Sequence, residues 1–166
     1  MIDYIEGHTL LINKPLRWTS FDVVKKIRNT LRSALQLKNI KVGHAGTLDP
    51  LADGLLIVCT GKFTKRINEF QAQEKEYTAE FTLGATTPSF DLETEINETF
   101  NYNHINEDML KTTTEKLTGN ILQTPPIYSA IKRDGKRLYE YARKGEGVKI
   151  KDRIVHVSKF EIIKVE

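Results

Sequence analysis

Apolar side chains recur at every third or fourth position between residues 20 and 35, which predicts an amphipathic helix with one buried face. The positions that define this face are Val24, Ile27, Leu31 and Leu35. Just ahead of them, Thr19 and Asp22 have the spacing of a capping box, in which each side chain binds the backbone amide of the other residue. The pattern therefore predicts a helix that begins directly after Thr19.

Three shorter stretches predict strands in the first half of the chain. Residues 9–13 form a short, mostly apolar run that ends at Lys14-Pro15, and residues 55–60 are almost entirely apolar. An apolar run of this length is typical of a buried strand. Residues 77–83 alternate between apolar and polar side chains, which is the period of a half-buried strand.

The rest of the pattern mixes helices and strands without a regular strand–helix–strand repeat. It predicts helices over 62–72, 107–117 and 137–143, strands over 129–132 and 153–165, and an exposed loop over 91–106. Within the last strand the apolar positions change parity, which predicts a bulge near Ser158. The arrangement favours the α+β class, with a mixed, mostly antiparallel sheet and flanking helices.

Length and composition limit the class of protein. The 166 residues fit one domain with an ordinary core, and hydrophobic residues make up 39% of the chain. Cys59 is the single cysteine, which favours a reducing compartment. There is no apolar run of membrane-span length and no signal-peptide pattern, so we expect a cytoplasmic protein without membrane contact. The last strand-like run reaches Glu166 without a turn signal, and we expect a chain truncated on its C-terminal side.

Positive charge is concentrated in two stretches. Residues 1–41 hold eight basic and three acidic side chains, and residues 132–153 hold nine basic and four acidic ones. Such stretches suit a polyanion, because phosphate contacts release counterions. Charge alone, however, favours the simpler interpretation that these residues form solvent-exposed helix and loop faces.

The segment 41–54 contains three glycines and one proline, and we expect it to form no regular element. A carboxylate held in such a loop beside a buried strand, as Asp49 is, has the setting of a nucleophile or a general base. Its spacing equally fits an ordinary Asp-Pro turn whose carboxylate binds local amides. The residues themselves leave both interpretations open.

Two other kinds of site fit the sequence poorly. His44, Asp49 and Asp53 would offer a metal ion one imidazole and two carboxylates with no second histidine nearby, so we predict no metal site. Cys59 stands in an apolar run and is expected to be a core residue rather than a nucleophile.

Four motifs follow one another along nearly the whole chain. They are Asn13-Lys14-Pro15 with Trp18-Thr19-Ser20, GHAGTLDPLADGLL at residues 43–56, Lys75-Glu76-Tyr77, and a run that begins QTPPIYSAIK at residue 123 and continues to Tyr141-Ala142-Arg143. Together they resemble the TruB-type pseudouridine synthases, bacterial enzymes that modify uridine 55 of tRNA. The resemblance implies a sheet of the pseudouridine synthase type. The Tyr128-Ser129-Ala130 segment favours the stand-alone bacterial type over the guide-RNA-dependent synthases.

The resemblance implies roles for single residues. Asp49 matches the aspartate that pseudouridine synthases require for catalysis. Tyr77 matches the tyrosine that stacks on the target base, and His44 matches the histidine that inserts into the T-loop. Lys14 and Pro15 match a motif that supports the wall of the active site.

The resemblance also implies how the substrate is held. Residues 123–152 match an RNA-contacting thumb, and its candidate tRNA contacts are Lys132, Arg133, Lys136 and Arg137. Gly43 and Gly46 belong to the structural support of the aspartate loop. The implied partner is the T arm of tRNA, with no cofactor and no protein partner.

Two departures from the family accompany this resemblance. Arg17 stands where the family usually has glycine, which alters a turn without touching the chemistry. No arginine-bearing motif of the GTYIR kind, whose arginine pairs with the catalytic aspartate, follows the thumb. We therefore expect the 166-residue chain by itself to be inactive or nearly so, and a non-catalytic tRNA-binding fragment is the alternative function.

Overall fold

The computed structural model describes residues 2–129, 131–142, 144–145 and 147–166, without the side chains of Lys132, Arg133, Arg137 and Tyr139. The chain divides into two compact units, Met1–Ala79 and Glu80–Glu166. Both units combine helices with small antiparallel sheets, so the predicted α+β class is confirmed. No helix in the described ranges has the length and apolar character needed to cross a bilayer.

The first unit is a three-stranded sheet with a helix packed on one face. In chain order its elements are β1 (Thr9–Lys14), α1 (Ser20–Ala34), β2 (Val42–Ala45), β3 (Gly54–Thr60), a 3-10 segment (Gly61–Arg66) and α2 (Ile67–Gln71). The central strand β3 pairs antiparallel with β1 on one side and β2 on the other. The prediction that residues 41–54 hold no regular element is wrong for β2, because its backbone joins the edge of β3.

The core of this unit lies between α1 and the sheet. Val23 and Val24 of α1 pack with Leu56 and Val58 of β3, and each of the four is at most 4% exposed. The capping box of Thr19 is present, and the helix begins where the sequence predicts. The strand over 55–60 is also present, but Leu55 is 63% exposed. Successive side chains of a strand point to opposite faces, and α1 covers the face of Leu56.

Two predictions fail towards the end of the first unit. The helix over 62–72 is divided into the 3-10 segment and the short α2. The strand over 77–83 is absent, and residues 74–82 have no regular structure. An alternating pattern forms a strand only beside a hydrogen-bonding partner, and within the described residues no strand pairs with this stretch.

In its described residues, the second unit contains three small two-stranded sheets and two helices. Its elements are β4 (Ala85–Thr86), β5 (Glu98–Thr99), α3 (Glu107–Lys116), β6 (Gly119–Gln123), β7 (Lys132–Arg133), β8 (Lys136–Arg137), α4 (Leu138–Ala142) and β9 (Arg153–Val157). The antiparallel pairs are β4 with β5, β6 with β9, and β7 with β8. The helix predicted over 107–117 is confirmed, and the Asn106 side chain caps it by accepting from the Met109 amide at 3.0 Å.

The strand predictions for this unit are too long. Of the strand predicted over 129–132, Lys132 begins β7 and Ala130 lies outside the described residues. The predicted loop over 91–106 contains β5. The strand over 153–165 ends at Val157, so the parity change near Ser158 marks a strand end and not a bulge. The reason lies in the partner strand: Val157 pairs with Gly119, the first residue of β6, and the described ladder has no partner beyond it.

Candidate active site

The connection between β2 and β3 carries Asp49 on an exposed loop. Because the two strands pair antiparallel, the loop folds back on itself between Ala45 and Gly54. Gly46 has a φ of +101° and Gly54 a φ of +113°, a backbone region that other residues rarely adopt. A Cβ at either position would meet no atom within 4 Å, so the backbone conformation and not a lack of space requires glycine.

Ser20, the first residue of α1, holds the chain just before Asp49. Its hydroxyl donates to the carbonyl oxygen of Leu48 at 3.0 Å and accepts from the amide of Leu48 at 2.9 Å. Ser20 is 2% exposed, so water competes little for these bonds. These two hydrogen bonds fix the peptide groups on both sides of Leu48. They thereby fix the direction of the backbone as it enters Asp49.

The far side of the loop is held by the turn that follows β1. The amide of Arg17 donates to the carbonyl oxygen of Pro50 at 2.7 Å. The turn is organised by Lys14, which is fully buried and donates from Nζ to the carbonyl oxygens of Pro15 at 3.1 Å and Trp18 at 2.7 Å. These contacts fit the supporting role that the sequence predicts for Lys14 and Pro15.

The Asp49 side chain itself is open. Within the described part of the chain its carboxylate has no hydrogen bond and no ion pair, while its backbone carbonyl accepts from the Ala52 amide at 3.1 Å. The carboxylate therefore does not serve as an acceptor for local amides, which was the simpler interpretation of the Asp-Pro turn. A carboxylate positioned through its backbone and exposed to solvent can reach an incoming substrate.

His44 and Gly43 lie on β2 beside this loop. His44 is half-buried, and its Nδ1 donates to the carbonyl oxygen of Gly46. Since a carbonyl oxygen only accepts, Nδ1 carries a proton, and a neutral ring keeps Nε2 as an acceptor. A Cβ on Gly43 would lie 2.8 Å from Cδ1 of Ile67, so glycine there allows α2 to pack closely against the strand.

Tyr77 is not joined to the Asp49 loop by any hydrogen bond or ring contact in the described residues. It is 69% exposed on the stretch 74–82. Its stacking role stays a prediction.

The thumb-like segment contains a tight basic hairpin. Asp134 (φ +49°) and Gly135 (φ +82°) form its two-residue turn, with the positive φ values of a type I′ turn. The four strand positions are the predicted tRNA contacts Lys132, Arg133, Lys136 and Arg137. The Nζ of Lys136 lies 5.7 Å from the centroid of the Tyr141 ring. The other three basic side chains lie outside the described residues.

Cys59 is fully buried on β3, and burial raises the pKa of its thiol. It is therefore a neutral core side chain, as the sequence predicts. Among the described residues, no three of the His, Cys, Asp and Glu side chains come close enough together to hold a metal ion.

Two features of the site were not predicted from the sequence. In the sequence, Ser20 stands out only as part of a motif. Its partner Leu48 is 28 positions away, so no local pattern predicts the contact. The β7–β8 hairpin did have a signal, because Asp-Gly between short strands is typical of a type I′ turn.

Comparisons with known proteins agree on one family. The family described as TruB family pseudouridylate synthase (N terminal domain) matches residues 32–166. The tRNA pseudouridine synthase B of Flavobacterium johnsoniae is 56% identical over 98% of this chain and 72% of that protein. The tRNA pseudouridine synthase B of Parabacteroides distasonis is 52% identical over 99% of this chain and 70% of that protein.

A solved structure, described as a Cbf5-Nop10-Gar1 complex, contains a chain similar in fold. The TM-score is 0.56 at 23% identity, over 98% of this chain and 37% of the other.

Proposed function

The chain belongs to the TruB family of pseudouridylate synthases, and we propose that it converts uridine 55 in the T-loop of tRNA to pseudouridine with Asp49 as the nucleophile. The observation that carries this proposal is the Asp49 loop, whose backbone is tied on both sides while its carboxylate is free. In this proposal the protein acts in the cytoplasm on the T arm, without a cofactor or a protein partner.

The reaction is an isomerisation, so its atoms balance without an oxidant or a co-reactant. The bond between C1′ of the ribose and N1 of uracil breaks, the base turns, and a bond from C1′ to C5 forms. The proton of C5 is lost and N1 gains one. An ionised carboxylate can attack C6 of the base or C1′ of the sugar, and it is regenerated at the end in either case.

The target base must leave the RNA stack before Asp49 can reach it. An aromatic platform offsets the lost stacking by about 1–3 kcal/mol per base, and the exposed Tyr77 ring offers such a surface. His44 has the complementary role of entering the T-loop where the nucleotide has left. Its bond to Gly46 holds the ring on the strand that leads into the Asp49 loop.

Complementation tests this proposal directly. A bacterial strain without its own tRNA pseudouridine synthase B would produce the chain joined to the part of the Flavobacterium johnsoniae relative outside the matched region, which is 72% of that protein. We expect this joined protein to restore pseudouridine at position 55 and its Asp49→Asn version to restore none. A joined protein that accumulates in folded form but leaves uridine 55 unchanged contradicts the proposal.

The alternative, an RNA-binding fragment without activity, is tested by the chain alone. Binding of a T-arm minihelix and pseudouridine formation in it would be scored separately. Binding without turnover by the chain, together with turnover by the joined protein, assigns RNA binding to these 166 residues and activity to the joined protein.

The basic hairpin gives a prediction about tRNA affinity. Replacing Lys132, Arg133, Lys136 and Arg137 together by glutamine should weaken T-arm binding, because the four residues are paired across one small hairpin. The log–log slope of affinity against salt should fall by about one unit for each phosphate group that the variant no longer binds. Binding measured between low and high salt checks this prediction. An unchanged slope would mean that the four residues are solvent-exposed and do not bind phosphate groups.

A further inference from the structure

A groove of about 370 Å³ opens at the start of α1, and the residues that line it are Arg17, Trp18, Asp22, Lys25, Lys26 and Asn29. The groove adjoins the Asp49 loop, since the amide of Arg17 is bonded to the carbonyl of Pro50 at 2.7 Å. It lies within the first unit and shares no residue with the basic hairpin.

The groove keeps a net positive charge. Within the described residues Arg17, Lys25 and Lys26 form no ion pair. The one carboxylate of the lining, that of Asp22, is occupied by Thr19, whose amide donates to it at 2.9 Å and whose hydroxyl also donates to it. These bonds from the Thr19 hydroxyl and amide, with a smaller contribution from the charge of Lys25, hold the pKa of Asp22 below its ordinary value. Three cations therefore face one carboxylate.

Arg17 is in an unusual backbone conformation, with a φ of +66°. The turn needs this conformation, because it directs the Arg17 amide to Pro50 while the Trp18 amide donates to Pro15 at 3.3 Å. Glycine would adopt this conformation with less strain. Arg17 thus keeps a strained backbone conformation at the edge of the candidate site.

We propose that this groove binds the phosphate backbone of the tRNA strand whose uridine enters the Asp49 loop. The proposal rests on the proposed function, which supplies the RNA. The guanidinium of Arg17 matches two phosphate oxygens at once, and the two lysines supply further positive charge along the strand. The indole of Trp18, 39% exposed, offers a surface on which a base can stack.

The variant Arg17→Gly tests the contribution of the Arg17 side chain separately from that of its backbone amide. The variant keeps the amide that binds Pro50 and removes the strain of a positive φ, so the melting temperature should stay constant or rise. The affinity of the purified chain for a fluorescent T-arm RNA should weaken about fivefold at 0.1 M salt, with a log–log salt slope smaller by about one unit. Neutralising Lys25 and Lys26 by glutamine should lower the slope by about two units.

Matched controls lie outside the groove. Gln36 also has a positive φ, +51°, so Gln36→Gly gives the same relief of strain and should leave RNA affinity unchanged. Lys38 and Lys65 are exposed, and their glutamine double variant removes the same charge as the change at Lys25 and Lys26.

Each outcome of these measurements either supports or overturns the proposed groove. Weaker RNA binding by Arg17→Gly at undiminished melting temperature, with both controls unchanged, supports the groove. If Arg17→Gly binds RNA with the same affinity and salt slope as the wild type, the groove proposal is wrong. Pseudouridine formation by the joined protein then still tests the proposed function separately. An equal loss in the Lys38 and Lys65 variant, or a drop in melting temperature with Arg17→Gly, overturns the groove proposal as well. A wild-type chain that binds no T-arm RNA overturns the groove, whatever the activity of the joined protein.

Discussion

Replacing Asp49 by asparagine should abolish pseudouridine formation in the joined protein and leave tRNA affinity within a few-fold of wild type. The amide preserves the size of the side chain but cannot attack carbon as a carboxylate does. The fold should tolerate the change, because the Asp49 carboxylate is exposed and has no partner among the described residues. Single-turnover conversion of T-arm RNA, equilibrium binding and thermal melting measure the three quantities separately.

Asp53→Asn is the matched control for this experiment. Asp53 is an exposed carboxylate on the same loop and likewise has no hydrogen bond or ion pair in the described part of the chain. Its replacement removes the same charge from the same loop, and turnover should remain close to wild type. If Asp49→Asn keeps measurable turnover, or if both variants lose it equally, the assignment of Asp49 as the nucleophile is wrong.

The helix α1 shows what the sequence alone can predict in this fold. Its signals are local: a capping box at Thr19 and apolar residues spaced every three or four positions. The structure confirms the helix and its cap, and also confirms strands at β1 and β3. Such elements satisfy most of their requirements within one short stretch or bury an obvious apolar face, so the pattern of the stretch is sufficient.

The predicted strands over 77–83 and 153–165 show the limit of that reasoning. Their alternation is correct for a strand, but a strand forms only where a neighbouring strand bonds with it. β9 ends where β6 begins, at the pair of Val157 and Gly119, and residues 74–82 have no partner in the described residues. Partner choice depends on residues far away in the chain, and a local pattern does not contain it.

The candidate site likewise has features that the sequence predicts and features that only the structure shows. Asp49 and His44 could be selected as candidates because the continuous motif at residues 43–56 resembles that of the family, whereas the residues alone left the role of Asp49 open. The bonds from Ser20 to Leu48 and from Arg17 to Pro50 could not be predicted, since each joins stretches that are distant in sequence. The positive φ of Arg17 is likewise a consequence of the folded turn, and it is visible only in the structure.

Ser20→Ala should slow turnover far more than it weakens tRNA binding. The change leaves the Leu48 amide and carbonyl without their shared partner, and an unpaired buried polar group costs about 1–3 kcal/mol. The chain entering Asp49 then loses its fixed direction, and a displacement of about 1 Å at a reacting group can reduce the rate about 100-fold. We expect kcat of the joined protein to fall about 10–100-fold, with KM and RNA affinity nearly constant, because Ser20 is buried and offers the RNA no surface.

Ser89→Ala separates this effect from a general loss of stability. Ser89 is 8% exposed, and its hydroxyl is bonded to the Thr94 hydroxyl at 2.7 Å, so its removal should lower the melting temperature by a comparable amount. It lies in the second unit, whereas Ser20 and Leu48 lie in the first. Positioning of Asp49 by Ser20 requires that kcat falls for Ser20→Ala and stays near wild type for Ser89→Ala, measured well below both melting temperatures. Equal kcat values for the two variants would mean that the bond from Arg17 to Pro50 is sufficient to hold the loop.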